Sequence, residues 1–71
     1  MTKTYYLESR DDGRAVRISD DGIIHVCDAP PAGASGVTRA SCNLNTEIVR
    51  QMSHVAAEAG FTVRNDTMLI Q

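Results

Sequence analysis

The chain has 71 residues, a formal net charge of −2, two tyrosines, one phenylalanine and no tryptophan. That length supports one domain, which buries only roughly 60% of the surface its unfolded chain exposes, so the stability margin is thin. The mild negative charge argues against direct nucleic-acid binding, which leans on Lys and Arg to neutralise phosphates.

No apolar run reaches membrane-spanning length, so no membrane partner is expected. Lys3 to Arg10 lacks the apolar stretch of a signal peptide. The expected compartment is therefore the cytoplasm, where Cys27 and Cys42 stay reduced.

Thr4 to Ser9 reads as a first strand, with Tyr5 and Leu7 on one face and Tyr6 and Glu8 on the other. Asp11-Asp12-Gly13 follows as a turn in which the glycine can adopt positive φ. Arg14 to Ser19 is a second strand, with Val16 and Ile18 on one face and Arg17 on the other. Asp20-Asp21-Gly22 repeats the turn. Ile23 to Cys27 is a third strand, in which Ile24 and Val26 alternate with Ile23, His25 and Cys27. Three short runs joined by tight turns make an antiparallel meander.

Residues 29–36 contain both prolines and two glycines, and no apolar periodicity, so they read as a loop. A connection this long is uncommon in a compact domain; it is either a binding loop or a mobile connector. Val37 to Ser41 can form a short edge strand.

Asn45 to Gly60 is the clearest element. Ile48, Val49, Met52, Val55, Ala56 and Ala59 fall on one helical stripe. Asn45 can cap the first turn. Leu44 and Val49 occupy hydrophobic-staple positions. Gly60 can close the helix, with Phe61 folding back over the last turn. Beyond it, Asn65-Asp66 between two apolar runs suggests a hairpin, with one longer bulged strand as the alternative.

The expected fold is α+β: a three-stranded antiparallel meander, a long loop, one α-helix packed on the sheet, and one or two C-terminal strands. The expected core is Tyr5, Leu7, Val16, Ile18, Ile24, Val26, Ile48, Val49, Met52, Val55, Phe61, Val63, Met68 and Ile70.

The residues offer little chemistry. His25, Cys27, Cys42 and His54 are the available soft ligands, but they lack the paired spacing of recognised zinc sites, so no metal is expected. No Cys or Ser sits in a nucleophile–base–orienter arrangement, and the glycines form no phosphate-binding pattern. No catalytic residue and no cofactor follow. Asp11 and Asp12 should lie a strand length, roughly 17–20 Å, from Asp20 and Asp21, so the four carboxylates cannot act as one acid cluster. Arg14 and Arg17 differ in parity and should point to opposite faces.

What remains is binding. Tyr6 and Arg17 share the outer face of the meander and are of the residue types that anchor interfaces. They are the candidate partner contacts, flanked by Asp11, Asp12, Asp20 and Asp21. That face, with Tyr6, Ile23 and Leu69, carries more apolar surface than a free face needs.

In being short, mildly acidic and α+β, the chain resembles the small inhibitor proteins of phages and mobile elements, among them the anti-CRISPR proteins. The resemblance is one of size and layout and carries over no residue. It implies a non-enzymatic protein that blocks a larger host nucleic-acid-handling complex by steric occlusion. The separated acidic turns make acidic mimicry the poorer option. The alternative is a small regulatory or structural subunit, homodimeric through an edge strand.

Overall fold

A computed structural model describes residues 3–31, 33–42 and 46–71. The fold is α+β: β1 (Thr4–Glu8), β2 (Arg14–Ser19), β3 (Ile24–Asp28), β4 (Thr38–Ser41), α1 (Thr46–Glu58) and β5 (Thr67–Ile70). The strands form one antiparallel sheet in the order β3-β2-β1-β5-β4. The meander supplies β3-β2-β1, as the alternation predicts. The C-terminal strand then adds to the far side of β1, which makes β1 central.

Helix α1 packs on β2, β3 and β1. Its stripe meets the sheet through Met52 and Ala56, both fully buried against Leu7, Val16, Ile18 and Met68. Ile48, Val49 and Val55 pack at the margin of this core. The helix closes as Gly60 predicts. Gly60 has φ 93°, the Phe61 amide donates to the Ala56 carbonyl at 3.0 Å, and the Gly60 amide donates to Ala57 at 3.1 Å. These two bonds satisfy last-turn carbonyls that would otherwise lack partners. The expected Asn45 cap and the Leu44–Val49 staple involve positions outside the described residues.

The two Asp-Asp-Gly turns are alike in sequence and different in build. At the first, the buried Ser9 hydroxyl accepts the Asp11 and Asp12 amides at 3.2 and 3.3 Å. Gly13 does not adopt positive φ there. At the second, Gly22 does, with φ 81°, and the Ile23 amide donates to Asp21 Oδ1 at 3.1 Å. That bond holds Ile23 in the turn, so the third strand starts at Ile24 and extends to Asp28, one residue later at each end than expected.

The C-terminal hairpin is a correction. Val63 bridges Ser9, while Leu69 and Ile70 pair with Tyr6 and Tyr5. Both runs therefore lie along the same side of β1, as one bulged strand. From Leu69 back to Val63 is six residues, against three from Tyr6 to Ser9 on β1. The excess bulges out around Asn65 and Asp66, and it interrupts the pairing with β1 between the Ser9–Val63 bridge and the Tyr6–Leu69 pair.

The loop after β3 also departs from a free connector. β3 ends beside Arg14 at one edge of the sheet, and β4 begins beside Ile70 at the other. Residues 29–37 must therefore cross the sheet. The Ala29 amide is tied to the Gly13 carbonyl at 2.7 Å. Farther on, Pro30, Pro31, Ala34 and Val37 line one concavity together with Arg39 and Leu69. Leu69 alternates with Met68 and Ile70, so it points away from the helix, yet it is only 3% exposed. Ala15, on the same outer face, is fully buried. The segment acts as a strap over the side of the sheet opposite the helix.

Two expectations about apolar residues reverse as a result. Leu69 is core, not surface. Val26 faces the helix side but is 43% exposed, because it lies on the edge strand beyond the cover of α1.

Met52→Ala should cost about 2–5 kcal/mol in urea unfolding, and Leu69→Ala should fall in the same range. A Leu69→Ala cost within about 0.5 kcal/mol of zero, as at an exposed site, would mean the outer face is uncovered.

Candidate functional site

The outer face is built by strand parity. Tyr6 opposes Arg17 on β2 and Leu69 on β5. Arg17 opposes His25 on β3, and Leu69 opposes Arg39 on β4. One row therefore crosses all five strands: His25, Arg17, Tyr6, Leu69, Arg39. The two anchors expected to share this face, Tyr6 and Arg17, are directly opposed neighbours. His25 and Arg39 extend the row to both edges. His25 could have been added from the hairpin register. Arg39 could not, because its place depends on the long-range pairing of β4 with β5.

Each member has a distinct setting. The Tyr6 hydroxyl donates to Gln71 Oε1 at 2.8 Å, which fixes the phenol at the centre of the row. Arg17 and His25 are exposed, and Arg17 makes no ion pair among the described residues. Arg39 is exposed but reaches Glu8 Oε1 at 3.5 Å. Leu69 lies beneath the strap. The result is a partly covered face with a free guanidinium and an imidazole at its β2–β3 end.

The four aspartates lie at opposite ends of β2, as expected, and do not converge. Asp12 accepts from the Arg14 amide at 2.9 Å and from Arg14 Nε at 3.0 Å. Asp20 accepts the Lys3 amide at 3.1 Å, and Asp21 accepts the Ile23 amide. Asp11 is exposed in the first turn. Asp12 and Asp21 thus have the local backbone partners that make Asp a turn residue, whereas Asp20 ties its turn to the start of β1.

Sequence reasoning missed what Arg14 does. Its guanidinium lies 4.4 Å from the centre of the Phe61 ring and reaches the Ala59 carbonyl at 3.5 Å. The last turn of α1 has no basic residue of its own. Arg14 brings positive charge to that carbonyl-rich end from a strand, with Asp12 holding it in place. The hydrogen bonds from Arg14 keep the Asp12 carboxyl below its ordinary pKa.

The soft ligands are scattered. His25 and Cys27 sit on the outer face of β3, whereas Cys42 is buried in the core. His54 is on the solvent side of α1, 3.3 Å from Glu58. Among the described residues no three His, Cys, Asp or Glu side chains are grouped to hold a metal. Both cysteines are free thiols. Burial pushes both thiol pKa values up, partly offset at Cys27 by Arg17 and reinforced at Cys42 by Asp66. That is the direction of a poorer nucleophile, since the thiolate is the reactive form.

No family model matches the chain, and neither does any curated protein or solved structure.

The Asp12 shift has a testable sign. Because the folded-state pKa is lowered, the stabilisation is complete above the ordinary value of 3.8 and fades as pH falls through the folded value. Asp12→Asn should melt below the parent at pH 6, and the gap should close toward pH 2. A gap independent of pH would place the effect outside the carboxylate.

Proposed function

We propose that this protein acts by binding rather than catalysis, and that its contact surface is the outer sheet face centred on Tyr6 and Arg17. The observation that carries this is the register row. It sets an amphipathic aromatic beside an arginine without an ion-pair partner among the described residues, with His25 on the adjacent edge strand. Tyr and Arg on a rigid sheet lose little side-chain entropy on docking and are the types that carry most interface energy. Arg17 and His25 fit a protein surface lined by carboxylates.

Size and layout, which resemble those of small phage and mobile-element inhibitors, support placing that surface on a host nucleic-acid-handling complex in the cytoplasm. The mode is steric occlusion. The cationic character of the row and the separation of the Asp turns both disfavour acidic mimicry.

A second reading has its own observation. Ile23 and Val26 are the large apolar side chains left exposed among the described residues, at 50% and 43%; Val26 lies on the edge strand β3 and Ile23 in the turn that leads into it. This favours a small structural or regulatory subunit that pairs with itself through that strand.

Tyr6→Ala and Arg17→Glu, made separately, should each weaken capture of the partner at least about tenfold, equivalent to ~1.4 kcal/mol, with the circular-dichroism spectrum unchanged. Tyr6→Phe removes only the bond to Gln71 and should retain binding. If both disruptive variants bind normally, while deletion of residues 32–35 abolishes binding in a chain that still folds, the strap is the site.

A further inference from the structure

The sheet has two edges, and they differ. β4 is four residues long and carries Arg39, a charge of the kind that discourages edge-to-edge pairing. β3 is five residues long, contains no Lys, Arg or Pro, and has a strand neighbour on one side only. Both exposed large hydrophobics lie at this edge. A groove between Ile24 and Val55, flanked by Arg50, Gln51 and His54, lies beside the same strand.

The backbone pattern says what the edge can accept. The Ala29 amide donates to Gly13, and the Ser19 amide donates to Ile23. In the β2–β3 register these are the hydrogen-bonded pairs, so the odd-numbered residues of β3 bond inward to β2. Ile24, Val26 and Asp28 therefore turn their N–H and C=O groups outward.

Three outward residues at every second position, centred on Val26, are self-complementary about a two-fold axis. We propose that β3 pairs antiparallel with β3 of a second copy, Val26 opposite Val26 and Ile24 opposite Asp28, which joins two sheets into one.

Alternative antiparallel registers shifted by one step of each strand also oppose outward groups, but they engage two of the three residues instead of all three. The centred register places no like charges opposite each other and buries the exposed valines against one another. It also sets Ile23 opposite Ala29. The interface is isologous, so it closes at a dimer and leaves the guarded β4 edges at the two ends. The proposal rests on the second reading above and adds the orientation and the register.

Sedimentation across a concentration series, followed by cross-linking, tests it. The parent should approach twice its 7.7 kDa mass. Val26→Pro removes an outward N–H without touching the bonds to β2, a position where an edge strand tolerates proline. It should stay monomeric with a native-like spectrum. Val26→Lys, which keeps the N–H, should also be monomeric, and it carries the test if the proline variant does not fold.

In the centred register His25 opposes Cys27 of the second copy as a non-hydrogen-bonded pair, with Cα atoms about 4.5 Å apart, within disulfide range. Oxidised glutathione should therefore convert His25→Cys to a covalent dimer linked 25 to 27, while the parent stays uncross-linked. A parent that cross-links through Cys27 to Cys27 would overturn the register and leave edge pairing standing. A parent that is monomeric throughout, or a dimer indifferent to both Val26 variants, would overturn pairing through β3 altogether.

Discussion

The placement of β3 and β4 at opposite edges of the sheet is the constraint on which the rest depends. Five strands at about 4.8 Å spacing put these edges ~19 Å apart. The crossing must also run most of a strand length, because β3 ends where β4 does not begin. Residues 29–37 span at most about 33–36 Å when fully extended between the two strands. A diagonal path over the outer face uses most of that reach. With α1 already on the inner face, the strap has one side of the sheet available to it. Small residues suit a path over a sheet, and the path bends on the way: the Ala34 amide donates to the Pro31 carbonyl at 3.1 Å, and Gly33 and Gly36 take positive φ.

A two-sided cover has consequences for packing and for function. Among the described residues this 71-residue chain has one α-helix, and one helix protects one face. The strap, which shares a concavity with Leu69, lets that side chain add apolar burial that a half-open sheet would forgo. It also divides the outer face. The β5 end of the cross-strand row lies beneath it, while the β2–β3 end, with Arg17 and His25, stays in solvent. The exposed face proposed for binding and the unguarded edge strand are therefore adjacent, and pairing through β3 would bring two copies of the Arg17–His25 surface toward each other across the two-fold axis.

The Arg14 arrangement shows the same economy of small parts. A turn carboxylate orients an arginine, the arginine stacks on the aromatic that follows the helix, and its tip reaches the carbonyl of Ala59 just past the helix end. Turn, sheet and helix end are joined at one side chain. Asp12 is structural in this respect whatever else it contacts.

The sequence made the helix, the meander and the core-facing residues legible because period and turn chemistry are local. Parity assigned Leu69 and Val26 to their correct sides of the sheet but misjudged their burial. Burial depends on whether a cover reaches the position, and both covers are set by long-range pairing. Phe61 and Gly60 behaved as read because a helix terminus is decided within a few residues. Asn65-Asp66 looked like a hairpin because a bulge and a turn use the same residues; only the Ser9–Val63 bridge distinguishes them. The Tyr6–Arg17 pair was half visible, as shared parity within a hairpin. Arg39 and the strap over Leu69 were not visible, since nothing local says that β5 inserts between β1 and β4.

Paramagnetic quenching of the methyl signals of Leu7 and Leu69 by a soluble relaxation agent tests the crossing strap most directly. Leu7 lies under the helix and is fully buried. If the strap covers the outer face, Leu69 is protected to the same degree as Leu7. If Leu69 broadens as an exposed methyl does while Leu7 stays sharp, residues 29–37 do not cross that face and the two-sided sheet is wrong.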